Sequence, residues 1–236
     1  MNFRDNIRTQ SDEYRNVLAI AREHRPSLAG LIAAGALALA MMIVNLVAVA
    51  HGATTVGDPM TMVQTTVGQV LDTLQTRGMP QTERQRRVIA IVANRFDFTG
   101  MARSSLGYNW KTLAPAQQQQ FVPLFTAFME DAYLSKINDY SGQQVKFTGQ
   151  STTGDGTAEV KSVVQPSDQS QPPIHINYLL RQVAGQWKVY DVAIDEISIT
   201  ANYRNQFNRV IASRGFDALM SAMREKQQAL HDSIGA

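Results

Sequence analysis

Hydrophobic residues between position 58 and about position 138 recur mostly three or four residues apart, which is the spacing of amphipathic helices. Asp58-Pro59 predicts the start of the first helix, because aspartate favours the N-cap and proline favours the first turn. The apolar stripe of this helix consists of Val63, Val67, Val70, Leu71 and Leu74. Further helices are predicted from about Thr82, from Thr99 to Leu106 and from Pro115 to about Asn138.

After Gly142 the period changes to the two-residue alternation of strands. The clearest strand alternates polar residues with Ile174, Ile176, Tyr178 and Leu180. Gly154-Asp155-Gly156 and Ala184-Gly185 predict turns. Four strands with short connections form an antiparallel meander, and helical spacing returns from about Tyr203. We therefore predict an α+β fold with N-terminal helices, a curled four-stranded meander and C-terminal helices.

Residues 27–50 carry no charged side chain, and Arg22 and Arg25 precede them. This segment exceeds the roughly 20 residues that cross a bilayer core. The next Lys or Arg is Arg77, so residues 1–26 are predicted to be a cytoplasmic n-region. Two interpretations stay open for residues 27–50: a signal peptide cleaved near Ala50, after the small-residue site Ala48-Val49-Ala50, or a retained inner-membrane anchor. Both predict that residues 51–236 form one domain in the periplasm.

The composition excludes several functional classes. The chain has no cysteine, which rules out disulfide scaffolds, thiolate metal sites and cysteine nucleophiles. Its four histidines show no metal-ligand spacing, so no metal site is predicted, and no motif calls for a cofactor. A net charge of +2 argues against a dedicated nucleic-acid binder.

Two stretches of the chain contain distinctive motifs. The more specific one begins with Trp187-Lys188-Val189-Tyr190-Asp191-Val192 and continues through Ile197-Ser198 to Tyr203-Arg204-Asn205-Gln206-Phe207. The other includes Leu106-Gly107 and Trp110-Lys111. In this order and at these spacings they resemble the MlaC family, also called toluene-tolerance proteins, and the resemblance covers about residues 60–228. One departure is Glu196, which stands before the Ile-Ser pair where glycine is expected, so the local turn is predicted to differ there.

The resemblance implies a non-enzymatic periplasmic carrier of phospholipid. Such a protein would shuttle lipid between an outer-membrane lipoprotein complex and an inner-membrane ABC transporter with an MCE-domain subunit, and so support the lipid asymmetry of the outer membrane. The related HpnM branch shares the fold, which leaves a hopanoid or another lipid open as the cargo.

A lipid carrier needs an apolar cavity for acyl chains, here expected between the sheet and the helices. The residues expected to contact lipid are apolar members of the helical and strand stripes: Val70, Leu74, Leu106, Trp110, Phe121, Phe125, Phe128, Met129, Val145, Phe147, Val160, Tyr178, Leu180, Val189 and Phe207. The periodicity of these residues is equally typical of a closed core, so it leaves both interpretations open.

The charged residues offer alternatives. Asp191 lies near Asp195 and Glu196, and neighbouring carboxylates can divide general acid and base roles, as a small periplasmic hydrolase or isomerase using Asp191 would require. Arg181 is expected to form a cross-strand ion pair with Asp191. A basic run at positions 84–87 fits either lipid phosphates or a solvated helix face.

Overall fold

The computed structural model describes residues 57–134, 142–167 and 172–235. Within these ranges, five helices precede a sheet of five strands, and two helices follow it. The first five are α1 (Pro59–Gln75), α2 (Gln81–Ala93), α3 (Phe98–Leu106), α4 (Tyr108–Thr112) and α5 (Pro115–Leu134). The strands are β1 (Gln144–Thr152), β2 (Thr157–Gln165), β3 (Ile174–Val183), β4 (Gln186–Ile194) and β5 (Ile197–Ser198), and the last helices are α6 (Ile199–Arg214) and α7 (Phe216–Gly235).

Three of these helices begin at an N-cap residue whose side chain accepts a hydrogen bond from a backbone amide of the first turn. The carboxylate of Asp58 accepts a hydrogen bond of 2.8 Å from the Thr61 amide at the start of α1. Asp97 caps α3 through the Gly100 amide at 2.8 Å, and Ser198 caps α6 through the Ala201 amide at 3.0 Å. Each cap satisfies an amide that has no partner within its helix.

The strands pair in sequence order, and every neighbouring pair is antiparallel. The α+β fold is therefore confirmed, with one strand more than predicted, because β5 adds two residues beyond β4. The register shifts between Phe147 and Gly149 in β1 and between Leu179 and Leu180 in β3. Such bulges increase the local twist of a sheet, consistent with the predicted curl.

The helices cover the sheet in two groups. α1 packs on β1 and β2, and α2 packs on α1; we call α1, α2 and residues 76–80 between them the α1–α2 hairpin. α3 and α6 pack on β4 and on each other; α3 also contacts α5, and α6 also contacts α7. The second group encloses a set of buried residues that we call the helical cluster: Met101, Ala102, Leu106, Phe121, Phe125, Phe128, Met129, Phe207, Leu219, Met220 and Met223.

The predicted export segment, residues 27–50, lies outside the described residues, as does the expected C-terminal end of α5 beyond Leu134. Within the described ranges, no helix combines the length and the apolar character that crossing a membrane requires.

Candidate functional site

A small apolar cavity lies between α1 and the sheet. Its volume is about 10 Å³, the space of about one water molecule. α1 contributes four of the lining residues, β3 and β4 one each, and the segment after α2 the last: Met62, Val63, Thr66, Val67, Tyr178, Val189 and Phe96. At this volume, the interface has no room for an acyl chain.

The cavity lining includes two hydroxyl groups, those of Thr66 and Tyr178, and neither carries a charge. The Thr66 hydroxyl donates to the Met62 carbonyl within α1 at 2.8 Å, so it is satisfied within its own helix. Burial raises the pKa of the Tyr178 phenol above its ordinary value, an effect that a hydrogen bond with Ser162 partly offsets. Tyr178 therefore stays neutral at physiological pH, and the lining suits hydrocarbon.

A polar clasp ties the N-terminal end of α1 to the sheet. The Gln150 side chain on β1 donates to the Asp58 carboxylate at 2.8 Å and accepts from the Met60 amide at 2.9 Å. Burial works against ionisation of Asp58, but hydrogen bonds from Gln150 and Thr61 outweigh it and hold the pKa of the carboxyl below its usual range. The hydrogen bonds of the clasp are exposed to solvent, where water can compete for them.

The α1–α2 hairpin is attached to the sheet at its other end through residues 95–97. The Val189 amide donates to the Arg95 carbonyl at 2.9 Å, and the Asp97 amide donates to the Val189 carbonyl at 2.8 Å. Arg181 on β3 then holds Asp97 through an ion pair, with Nε 2.7 Å from the carboxylate. The hairpin thus has a firmly bonded end beside β4 and an exposed clasp at β1.

The predicted ion pair between Arg181 and Asp191 is wrong, since Arg181 binds Asp97 instead. Asp191 is directed to the start of α6, where its carboxylate accepts from the Ser198 hydroxyl and from the amide and hydroxyl of Thr200, at 3.1 and 2.9 Å for Thr200. A fourth bond of 2.8 Å comes from the Val192 amide. These bonds give the buried carboxylate a structural role in joining β4 to α6.

The acidic residues expected near Asp191 do not share its environment. Asp191 is buried, whereas Asp195 and Glu196 are exposed in the turn between β4 and β5. Across residues 57–134, 142–167 and 172–235, no group of three or more His, Cys, Asp or Glu side chains could hold a metal ion.

The basic run on α2 is engaged locally. Arg86 and Arg87 both pair with Glu83, one helical turn away. Arg84 turns back and donates to the carbonyls of Met79 and Thr76 at 3.3 and 3.5 Å. This arrangement is that of a solvated helix face with intrahelical ion pairs.

Comparison with known proteins identifies the group to which this architecture belongs. The family model described as MlaC protein matches residues 64–225. The chain belongs to the MlaC protein family. A curated MlaC from Haemophilus influenzae, named an intermembrane phospholipid transport system binding protein, is 20% identical over 122 residues. That match covers 51% of this chain and 57% of the Haemophilus protein, so the chain matches little more than half of its relative's length.

A solved structure matches more completely. The phospholipid-binding protein of Ralstonia solanacearum, determined in complex with a phospholipid, has a TM-score of 0.66 and 26% sequence identity to this chain. The alignment covers 74% of this chain and 99% of the Ralstonia chain. The resemblance to the MlaC family is therefore confirmed.

At Glu196, where glycine was expected, the backbone lies in the left-handed region. Asp195 and Glu196 have φ of 46° and 69°, the region that favours glycine. The Asp195 amide donates to the His175 carbonyl at 2.8 Å, and the Asp195 carboxylate accepts from the His175 amide at 2.9 Å. These bonds to β3 hold the turn in a conformation that glutamate tolerates at a cost of about 1–2 kcal/mol.

The fifteen predicted lipid contacts separate into two regions of this MlaC-family fold. Tyr178 and Val189 line the cavity. Other members on α1 or the sheet are Val70, Leu74, Val145, Val160 and Leu180, all buried, and Phe147, which is half-buried. The remaining members belong to the helical cluster or, for Trp110, pack against it: Leu106, Phe121, Phe125, Phe128, Met129 and Phe207.

Five lining residues were absent from the predicted set: Met62, Val63, Thr66, Val67 and Phe96. Val63 and Val67 share the helical stripe of Val70 and Leu74, so their spacing was a usable signal. Phe96 offered no such signal, because a backbone bridge to Val189 brings it to the cavity across 93 residues of sequence.

Proposed function

We propose that this protein is a phospholipid carrier that holds acyl chains between α1 and the face of the sheet that α1 covers. The supporting observation is the apolar cavity at this interface, in a fold whose Ralstonia counterpart was solved with a phospholipid. The helical cluster, closed by stacked and edge-to-face aromatic rings, is then the rigid support of the carrier and lies outside its binding space.

Loading requires movement, because a cavity of about 10 Å³ has no space for a lipid tail. In our proposal the α1–α2 hairpin moves from the sheet as a unit, opening at the Gln150 clasp and pivoting near residues 95–97. Acyl chains then replace the contacts that Val63 and Val67 make in the closed form. Each buried methylene contributes about 0.8 kcal/mol, so tails of ordinary length compensate for the lost contacts between α1 and the sheet.

We further propose that residues 27–50 direct residues 51–236 to the periplasm. There the carrier would exchange lipid with an outer-membrane lipoprotein complex and with an inner-membrane ABC transporter that has an MCE-domain subunit. Membership of the MlaC family supports this role, as does the name of the Haemophilus relative, an intermembrane phospholipid transport system binding protein. We do not propose a hydrolase that uses Asp191, since four hydrogen bonds already occupy that carboxylate.

Lipid extraction tests the proposal directly. The full-length chain is expressed in a Gram-negative host, recovered from the periplasmic fraction without detergent, and measured by native mass spectrometry before and after extraction. We expect a bound mass that extraction identifies as phospholipid. A hopanoid in its place would assign the protein to the alternative cargo. Absence of bound lipid, together with no uptake from phospholipid vesicles, would refute the carrier function.

A further inference from the structure

Trp187 on β4 carries a buried donor without a partner. Its side chain is 8% exposed, and its indole Nε1 makes no hydrogen bond to any described residue. Two other buried side-chain atoms in the described ranges share this condition, Arg84 Nε and Gln85 Nε2 on α2, and both are also donors. A buried donor without an acceptor is destabilising, so such a group in a native protein calls for an explanation.

The position of Trp187 connects it to the cavity. Residues two apart on a strand project from the same face, and Trp187 and Val189 are both buried on β4. Val189 lines the cavity, and its backbone pairs with Phe96, another lining residue. Two strand residues span about 7 Å, a distance that long aromatic side chains reach across.

Trp187 also lies near the solvent-exposed end of the β3–β4 hairpin. It stands opposite Gln182, which is exposed, and the exposed turn residues Ala184 and Gly185 follow Gln182 within three positions. A lipid with its tails at Val189 and its headgroup in water would therefore pass Trp187 at the depth of its glycerol esters.

From this placement we infer that the Trp187 indole N–H donates a hydrogen bond to an oxygen of the bound phospholipid, either an ester carbonyl or the phosphate. Both groups only accept hydrogen bonds, which matches an orphaned donor. The inference rests on the proposed function and adds to it a polar contact that positions the headgroup end of the lipid.

Fluorescence quenching tests the contact, because the chain has two tryptophans, Trp110 and Trp187. The Trp110→Phe variant leaves Trp187 as the sole indole. The protein is incubated with vesicles of phosphatidylethanolamine brominated along its acyl chains, and bound lipid is measured separately by extraction. We expect strong quenching of Trp187. The reciprocal variant, Trp187→Phe, reports from Trp110 beside the helical cluster and should be quenched weakly.

A second measurement separates a lipid contact from a structural role. Trp187→Phe keeps an aromatic ring but removes the donor. Because that donor has no partner to lose, the ligand-free variant should lose only the stability that the smaller buried ring costs. Its affinity for phosphatidylethanolamine should fall about 2- to 12-fold, the worth of one hydrogen bond. An ether-linked lipid with the same chains identifies the acceptor: a loss of affinity that disappears with this lipid assigns the ester carbonyl, and one that persists assigns the phosphate.

Several results would overturn the assignment. Bound lipid without quenching of Trp187, or unchanged affinity in Trp187→Phe, would refute the contact while leaving the carrier function intact. A ligand-free Trp187→Phe variant that loses clearly more stability than the smaller ring accounts for would indicate a structural hydrogen bond instead. If no lipid binds to the wild type, the proposed function fails, and the contact fails with it. If Trp187→Phe does not fold, the quenching experiment still decides, because its Trp110→Phe variant retains Trp187.

Discussion

Replacing Val67 with tryptophan places an indole at a fully buried position on α1, beside a cavity of about 10 Å³. The closed interface cannot accept this volume. Either the α1–α2 hairpin lifts from the sheet, or neighbours such as Tyr178 and Val189 are displaced. In both cases the indole occupies the space that the carrier mechanism reserves for acyl chains.

The cost in the ligand-free protein follows from overpacking, which typically lowers the free energy of unfolding by about 1–3 kcal/mol. For a domain of this size, each kcal/mol shifts the unfolding midpoint by about 2–4 °C. We therefore expect Val67→Trp to unfold about 2–12 °C below the wild type. The lower end applies if the hairpin opens easily, because opening relieves the strain.

The assay combines thermal unfolding of delipidated protein with phospholipid content after detergent-free purification. Leu106→Trp is the matched control, since Leu106 is equally buried but belongs to the helical cluster. We expect both variants to lose stability and only Val67→Trp to lose lipid. Wild-type lipid content in Val67→Trp would refute a lipid site at this interface. Equal lipid loss in a folded Leu106→Trp would extend the site into the helical cluster.

Four further predictions concern other parts of the chain. Gln150→Ala removes the clasp to Asp58 and should speed lipid transfer to acceptor vesicles with little change in unfolding midpoint; an unchanged rate would argue against opening at this end. Asp191→Ala should lower the free energy of unfolding in urea by about 1–3 kcal/mol because it leaves buried donors unpaired, while lipid content stays at the wild-type level. Burial raises the pKa of Tyr178, so the unfolded chain loses its phenolic proton first and stability should fall as pH rises above about 10; Tyr178→Phe should make that fall shallower. Mass analysis of the exported protein should find an N-terminus near His51, and an intact chain retained in membranes would contradict cleavage.

Much of the secondary structure could be predicted because its causes are local. Asp58-Pro59 and Asp97 supply caps within three residues of the amides they bind. The change from helical to two-residue spacing after Gly142 marks the start of the sheet, and short turns allow only antiparallel neighbours. The order of helices and strands therefore followed from residues close together in the chain.

The ion-pair partner of Arg181 could not be predicted from local sequence patterns. Asp191 was the expected partner because it lies on the adjacent strand, whereas Asp97 lies 84 residues from Arg181. Asp97 becomes available because residues 95–97 pair with β4 beside Val189. No local pattern in residues 94–98 predicts that pairing, since a single bridge leaves no alternation in the sequence.

By itself, the sequence of this protein determined the types and order of its longer elements and the apolar stripes, and it carried the motifs of the MlaC family. Periodicity shows that Phe125 and Val67 are both buried, but it does not show which other buried residues each contacts. The tertiary structure decided that Phe125 packs in the helical cluster and Val67 at the cavity. Burial is a property of one face of one element, whereas a cavity exists only where several elements fail to fill the space between them.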